Sequence, residues 1–278
     1  MDDKILKPED YLEPNCPLCE KPYGAEAEIK PVPQQRIIEK MDEYMSHRDY
    51  AGAERHLLYW LEEARLGQDQ RGELMIRNEL VGHYRKTGQK QEAFAQAKEA
   101  LRLIQEMDYE GTISSATTYV NIATAYNAFE ENEQAYALFA KALPVYESSA
   151  NTRKDLLGGL YNNMALTCVS LGRYEEARTL YDKALVIMEE AEHGKLEQAI
   201  TWLNIADCIT LQKGMDNAEN EIYACLDTAE SLLKDESLEH NGYYAFVLEK
   251  CAPVFSYYGY FLLADELKEK AETIYAGS

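Results

Sequence analysis

The sequence predicts an all-α protein made of stacked helical hairpins, and three observations carry that prediction. From about Pro33 onward, apolar residues recur at i, i+3, i+4 and i+7 in long windows rich in Ala, Leu, Glu, Lys and Gln, with no alternating strand pattern between them. Short turns of Gly, Asn or Asp cut these windows into pieces of helix length. A frame G-x-Y-x-x-A-x-x-x-Y-x-x-A-L then returns along the chain, most clearly at Gly172, Tyr174, Ala177, Tyr181, Ala184 and Leu185. Each period should be one pair of antiparallel helices.

Taken in order, the first segment stands apart. Pro8, Pro14, Pro17, Pro22, Pro31 and Pro33 rule out regular helix over residues 1–33, which is expected to run extended or looped over the surface. The repeat domain is expected over 34–278. Its units are marked by Ala53, Ala93, Ala135, Ala177, Ala218 and Ala264, at intervals of 40, 42, 42, 41 and 46 residues. A small residue is needed there because the two helices of a hairpin approach closely, and the aromatic one turn later fills the wider gap beside them. The fifth unit has one residue fewer between Gly214 and Ala218, and Pro253 in the sixth predicts a kinked or late-starting helix.

The frame resembles the tetratricopeptide repeat, whose usual unit is about 34 residues. The likeness covers about Gln34 to Ala276. The first-helix positions of the family match Tyr119, Ile122, Ala123 and Tyr126 in one unit, Tyr161, Met164, Ala165 and Cys168 in the next, and Trp202, Ile205, Ala206 and Ile209 after that. A unit of about 42 adds about one turn to each helix at 3.6 residues per turn, which looks like the longer repeats of kinesin light chains and several bacterial signalling proteins. The resemblance implies a right-handed α-α superhelix of about six antiparallel pairs, with a concave face made by the first helix of each pair.

In that family the residue before the leucine-like position of the first helix points into the groove, and there an asparagine hydrogen-bonds the backbone of an extended peptide. Here the position is Asn121, Asn163 and Asn204 in three successive units. A side-chain amide suits the task because it offers two donors and an acceptor, and so reads a peptide backbone without reading its sequence. Asparagine also braces neighbouring helices in such repeats, so a purely structural reading stands beside the first. The resemblance places Asn78, Asn127, Asn162, Thr124, Arg85 and Lys86 around the same groove, along with Gly82, Thr117, Gly159, Leu166, Ser170, Asp207 and Leu211. Glu79, Glu39 and Lys250 replace the amide in the second, first and last units. Arg85 and Lys86 do not reproduce the spaced cationic clamp by which some relatives hold chaperone tails. The adjacent Gly158 and Gly159 mark either a close approach of a backbone or ligand, or the end of a loop.

Charge narrows the partners. With 49 acidic and 28 basic residues the formal charge is -21, which repels nucleic acid and anionic membrane surfaces and favours neutral or basic segments in the groove. No apolar run approaches a membrane span, and the first residues lack the form of a signal peptide, so the cytoplasm is the expected compartment. The cysteines at 168, 208, 225 and 251 fall in helical patterns and should pack as buried thiols. Cys16 and Cys19 look like half of a zinc knuckle with no second pair in the chain; a dimer partner could complete it, but a metal-free turn is the expected reading, with no cofactor. Five scattered histidines and the lack of any catalytic or nucleotide-binding motif leave no residue on which to argue an enzyme. The expected function is non-catalytic capture of an extended segment of a protein or peptide partner. The alternatives are an assembly or regulatory module acting through its convex or C-terminal surface, including a homodimer through the aromatic last unit, and a peptide-sensing regulator.

Overall fold

The computed structural model describes residues 29–150 and 152–277. Twelve α-helices occupy them: α1 (Gln34–Ser46), α2 (Tyr50–Leu66), α3 (Gln70–Lys86), α4 (Lys90–Glu106), α5 (Ile113–Ala128), α6 (Asn132–Ser148), α7 (Lys154–Ser170), α8 (Tyr174–Met188), α9 (Gly194–Lys213), α10 (Glu219–Leu233), α11 (Gly242–Tyr257) and α12 (Phe261–Gly277). Paired in order they make six hairpins stacked into one all-α superhelix. Cys16, Cys19 and most of the proline-rich segment lie outside the described residues.

The marker alanines do what the frame requires. Ala53, Ala93, Ala135, Ala177, Ala218 and Ala264 are all buried, each at or near the start of the second helix of its hairpin. With only a methyl group between them, the two helices close on one another, and Phe139 and Tyr181 fill the space one turn on. Helices α2, α3, α4, α6 and α7 each run 17 residues, long enough to carry the extra turn that a 42-residue period implies.

One turn geometry joins most hairpins. A single residue takes left-handed backbone at Arg48, Gly88, Glu130, Gly172 and Gly259. The next residue's N–H then reaches back to the carbonyl five before it, as from Gln89 to Tyr84, Glu131 to Tyr126, Arg173 to Cys168 and Tyr260 to Phe255. This satisfies carbonyls that the helix end leaves bare. The fifth unit, one residue short, builds a different turn: Gly214 has φ 82 and ψ 150, and Ala218 becomes the residue that caps α10. The long interval of 46 is taken up by the Lys234–Asn241 connection before α11.

Pro253 falls inside α11, which runs from Gly242 to Tyr257, so of the two expected outcomes the late start is not seen. Its ring removes one intrahelical hydrogen bond, and the exposed side of the helix, where Pro253 sits, accommodates the loss. The glycine pair also resolves. Gly158 and Gly159 lie within α7, and a methyl on Gly158 would come within 2.9 Å of Met188 Cγ in α8, whereas one on Gly159 would meet nothing. The first glycine allows two helices to close; the second leaves open space on the inner side.

Curvature follows from unequal spacing. The first helices touch each other in succession, α3 with α5, α5 with α7, α7 with α9 and α9 with α11, whereas the second helices make no comparable contact among themselves. The side with the closer helices is the inside of the arc. The outer face of α12 is charged and exposed, carrying Asp265, Glu266, Lys268, Glu269 and Glu272.

Candidate peptide-binding groove

The inner wall consists of one face each of α3, α5, α7, α9 and α11. Asn121, Asn163 and Asn204 sit at the same register on α5, α7 and α9, each followed by a buried pair: Ile122 and Ala123, Met164 and Ala165, Ile205 and Ala206. The buried pair locks the helix face, so the preceding side chain must leave toward the open side. All three asparagines are half-buried, and none of their amides makes a hydrogen bond with a described residue. Only the backbone carbonyl of Asn163 is engaged, accepting from Thr167 Oγ1 at 2.9 Å.

The other asparagines of the expected set behave differently. Asn78 Nδ2 donates to Thr118 Oγ1 at 2.9 Å, Asn127 Nδ2 to Thr167 Oγ1 at 2.9 Å, and Asn162 Nδ2 to Thr201 Oγ1 at 2.7 Å. These bonds tie α3 to α5, α5 to α7 and α7 to α9. Each threonine hydroxyl gives its own proton to the carbonyl four residues back, at Ser114, Asn163 and Glu197, and so has a lone pair left for the amide. At the next junction Tyr258, at the end of α11, donates to Asp207 Oδ1 at 2.8 Å and lies 2.8 Å from Thr210 Oγ1 of α9. The same junction is also bridged by Tyr243 of α11, which donates to Glu197 of α9, so every junction between successive inner helices from α3 to α11 carries at least one polar brace. Asn78, Asn127 and Asn162 hold the wall together, and only the neighbouring row presents unpaired amides to its open side.

The remaining expected residues vary. Thr124 donates to the Val120 carbonyl, and Thr117 lies 2.7 Å from the Tyr146 hydroxyl, so both hydroxyls are occupied. Arg85 and Lys86 are exposed at the end of α3, with Lys86 Nζ 5.6 Å from the centre of the Tyr50 ring. Gly82 and Gly159 face open space. Leu166 and Leu211 are exposed, Leu211 by 62%.

Two carboxylates on the inner side are perturbed. Glu79 takes the amide's place on α3, and burial, with the nearby charge of Asp42 added, raises its carboxyl above the ordinary range. Asp207 on α9 is also raised by burial, against the opposing pull of the Tyr258 hydroxyl. Glu79 lines a cleft between α3 and α5 with Asn121, Ser114 and Arg71, whose guanidinium lies 5.5 Å from the centre of the Tyr109 ring. Asp207 lines a second cleft, between α9 and α11, with Leu211, Pro253, Val254 and Tyr257.

Among the described residues, no group of three or more His, Cys, Asp or Glu side chains is placed to hold a metal ion, and no helix is long and apolar enough to cross a membrane. Cys168, Cys208, Cys225 and Cys251 are free and buried, and burial pushes the thiols of Cys168 and Cys251 up to about 12, which keeps them protonated and unreactive.

Comparison with known proteins agrees with this geometry. Residues 114–190 match the tetratricopeptide repeat family model. Within that stretch the chain carries tetratricopeptide repeats, and beyond it the likeness to proteins of this kind is one of fold. Among solved structures, the TPR-like repeats of a Podosopora anserina kinesin light chain superpose with a TM-score of 0.51 at 16% identity, over 72% of this chain and 93% of that one. NprR, solved in complex with its cognate peptide NprX, superposes with a TM-score of 0.55 at 16% identity, over 86% of this chain and 66% of that one. At these identities the likeness is one of fold. No curated protein sequence matches the chain.

Two predictions follow from the site. Thr201→Val leaves the buried Asn162 amide without a partner and should lower the stability measured by urea unfolding by about 1–3 kcal/mol, whereas Asn163→Ala, one residue away, should stay within about 0.5 kcal/mol of wild type. Glu79 binds its proton more tightly in the folded than in the unfolded chain, so its contribution to stability falls as pH rises from about 4.3 through the raised value. Glu79→Gln should match wild type near pH 4 and exceed it in thermal midpoint at pH 7; equal differences at both pH values would contradict this.

Proposed function

We propose that this chain is a non-catalytic interaction scaffold that holds an extended segment of a protein partner along its inner wall. The observation that carries the reading is the row of Asn121, Asn163 and Asn204: three half-buried amides in one register, each with its hydrogen-bonding capacity unspent. Amides that are open to water and have no partner within the fold are free to pair, and a peptide backbone supplies both an acceptor and a donor for them. Successive inner helices stand about 9 Å apart, which is close to three residues of extended chain, so each amide meets the backbone in turn. The NprR likeness bears on fold, and peptide capture by that protein is a precedent for the fold's use. The excess of acidic residues and the expected cytoplasmic setting favour neutral or basic partner segments.

The double substitution Asn163→Ala and Asn204→Ala should leave helix content unchanged and lower recovery of partner proteins from a native extract at least tenfold. Equal recovery by both proteins would remove the amide row from the mechanism. A second reading rests on Phe261 and Leu262, which are 64% and 89% exposed at the turn into α12 and could seat a second copy or a regulatory surface. Light scattering decides it: a dimer that Leu262→Asp converts to monomer supports that reading, and a monomeric wild type removes it.

A further inference from the structure

The two clefts at the ends of the amide row differ in chemistry, and the difference describes the occupant. At the α3–α5 end, Glu79 carries a carboxylate with no ion-pair partner among the described residues, beside the unpaired amide of Asn121 and within reach of the charge of Asp42. The one cation lining that cleft, Arg71, has its guanidinium over the Tyr109 ring instead of on Glu79. A partly desolvated, unpaired carboxylate among neutral donors and acceptors is complementary to an ammonium or guanidinium. At the α9–α11 end the lining is apolar: Leu211 and Tyr257 are 62% and 66% exposed, with Pro253 and Val254 between them. Exposed leucine and tyrosine facing one another across a cleft on an inner wall are complementary to a bulky apolar side chain.

We infer that the groove takes one extended peptide with a Lys or Arg side chain seated against Glu79 and a large apolar side chain seated between Leu211 and Tyr257. The inference rests on the groove reading above and adds the chemistry and spacing of its ligand. The clefts are separated by three steps along the inner helices, about 27 Å at about 9 Å each, and a strand covers that distance in about eight residues. The Asn163 and Asn204 amides lie between the two anchors and hold the connecting backbone. Binding by such a peptide also relieves the two costs that the free protein carries, an unpaired carboxylate at one end and exposed apolar surface at the other.

The test uses the full chain and a positional-scanning library of fluorescein-labelled dodecapeptides, acetylated and amidated at their ends, read by fluorescence polarisation. Lys or Arg should be selected at one position, and Phe, Tyr, Trp or Leu about eight residues from it. Glu79→Gln should lower the preference for the cation at least tenfold and leave the apolar preference intact. Tyr257→Ala should do the reverse. Asn163→Ala with Asn204→Ala should weaken all peptides alike. If that double variant weakens binding while Glu79→Gln leaves the selected residues unchanged, the groove reading stands and the assigned ligand falls. Selection of Asp or Glu, abolished by Arg71→Ala, would overturn it, as would a dimer that the peptides cannot dissociate, since a second copy would then fill the groove. Absence of binding by every peptide overturns both.

Discussion

The structure depends on one steric constraint: two long helices must close to near contact at an alanine, six times over. A hairpin held that tightly has an apolar stripe on each of its two broad sides, and neither stripe can be buried within the hairpin itself. Stacking is the only way to remove both from water. The buried side chains accordingly run the length of the array in two clusters, one from Val32 to Ala93 and one from Leu74 in α3 to Ala271 in α12.

Stacking alone does not make a binding surface; unequal spacing does. The inner helices pack closely on one another, whereas the outer ones meet through long polar side chains, as Tyr136 of α6 does with Glu176 of α8, so the wall bends toward α3, α5, α7, α9 and α11. The polar braces belong to this inner wall. They use side chains that would otherwise be unpaired at tightly packed junctions, and they fix the rotation of each inner helix against the next. That rotation is what brings one residue per helix, Asn121, Asn163 and Asn204, to the same height and the same side. A row with this regularity is a property of the stack and not of any single helix.

Much of this was legible in the sequence. The period, the marker alanines and the three in-register asparagines could be read directly, because a repeat writes its geometry into spacing. The division of labour between neighbouring asparagines could not. Asn78, Asn127 and Asn162 fall on the inner helices like the others, and what separates them is a threonine 39 or 40 residues on, at Thr118, Thr167 and Thr201. That offset is shorter than the period of about 42, because partners across a junction are not equivalent positions, so a search at the repeat spacing passes over it. Arg48 and Glu130 in left-handed turns were hidden for a similar reason: the frame offers glycine there in other units, and only the backbone shows that these two take the same conformation. The continuity of α11 through Pro253 was hidden because a proline on the exposed side of a helix costs less than local rules assume.

The most direct test of the account needs no ligand. Side-chain amide proton exchange in the free protein, measured by nuclear magnetic resonance on isotope-labelled material, separates the two rows. The Nδ2 protons of Asn78, Asn127 and Asn162 should be protected, and those of Asn121, Asn163 and Asn204 should exchange with water at rates close to those of a solvent-exposed amide. Protection of the second set equal to that of the first would mean that its amides are already paired within the fold, and the account of the groove would be contradicted.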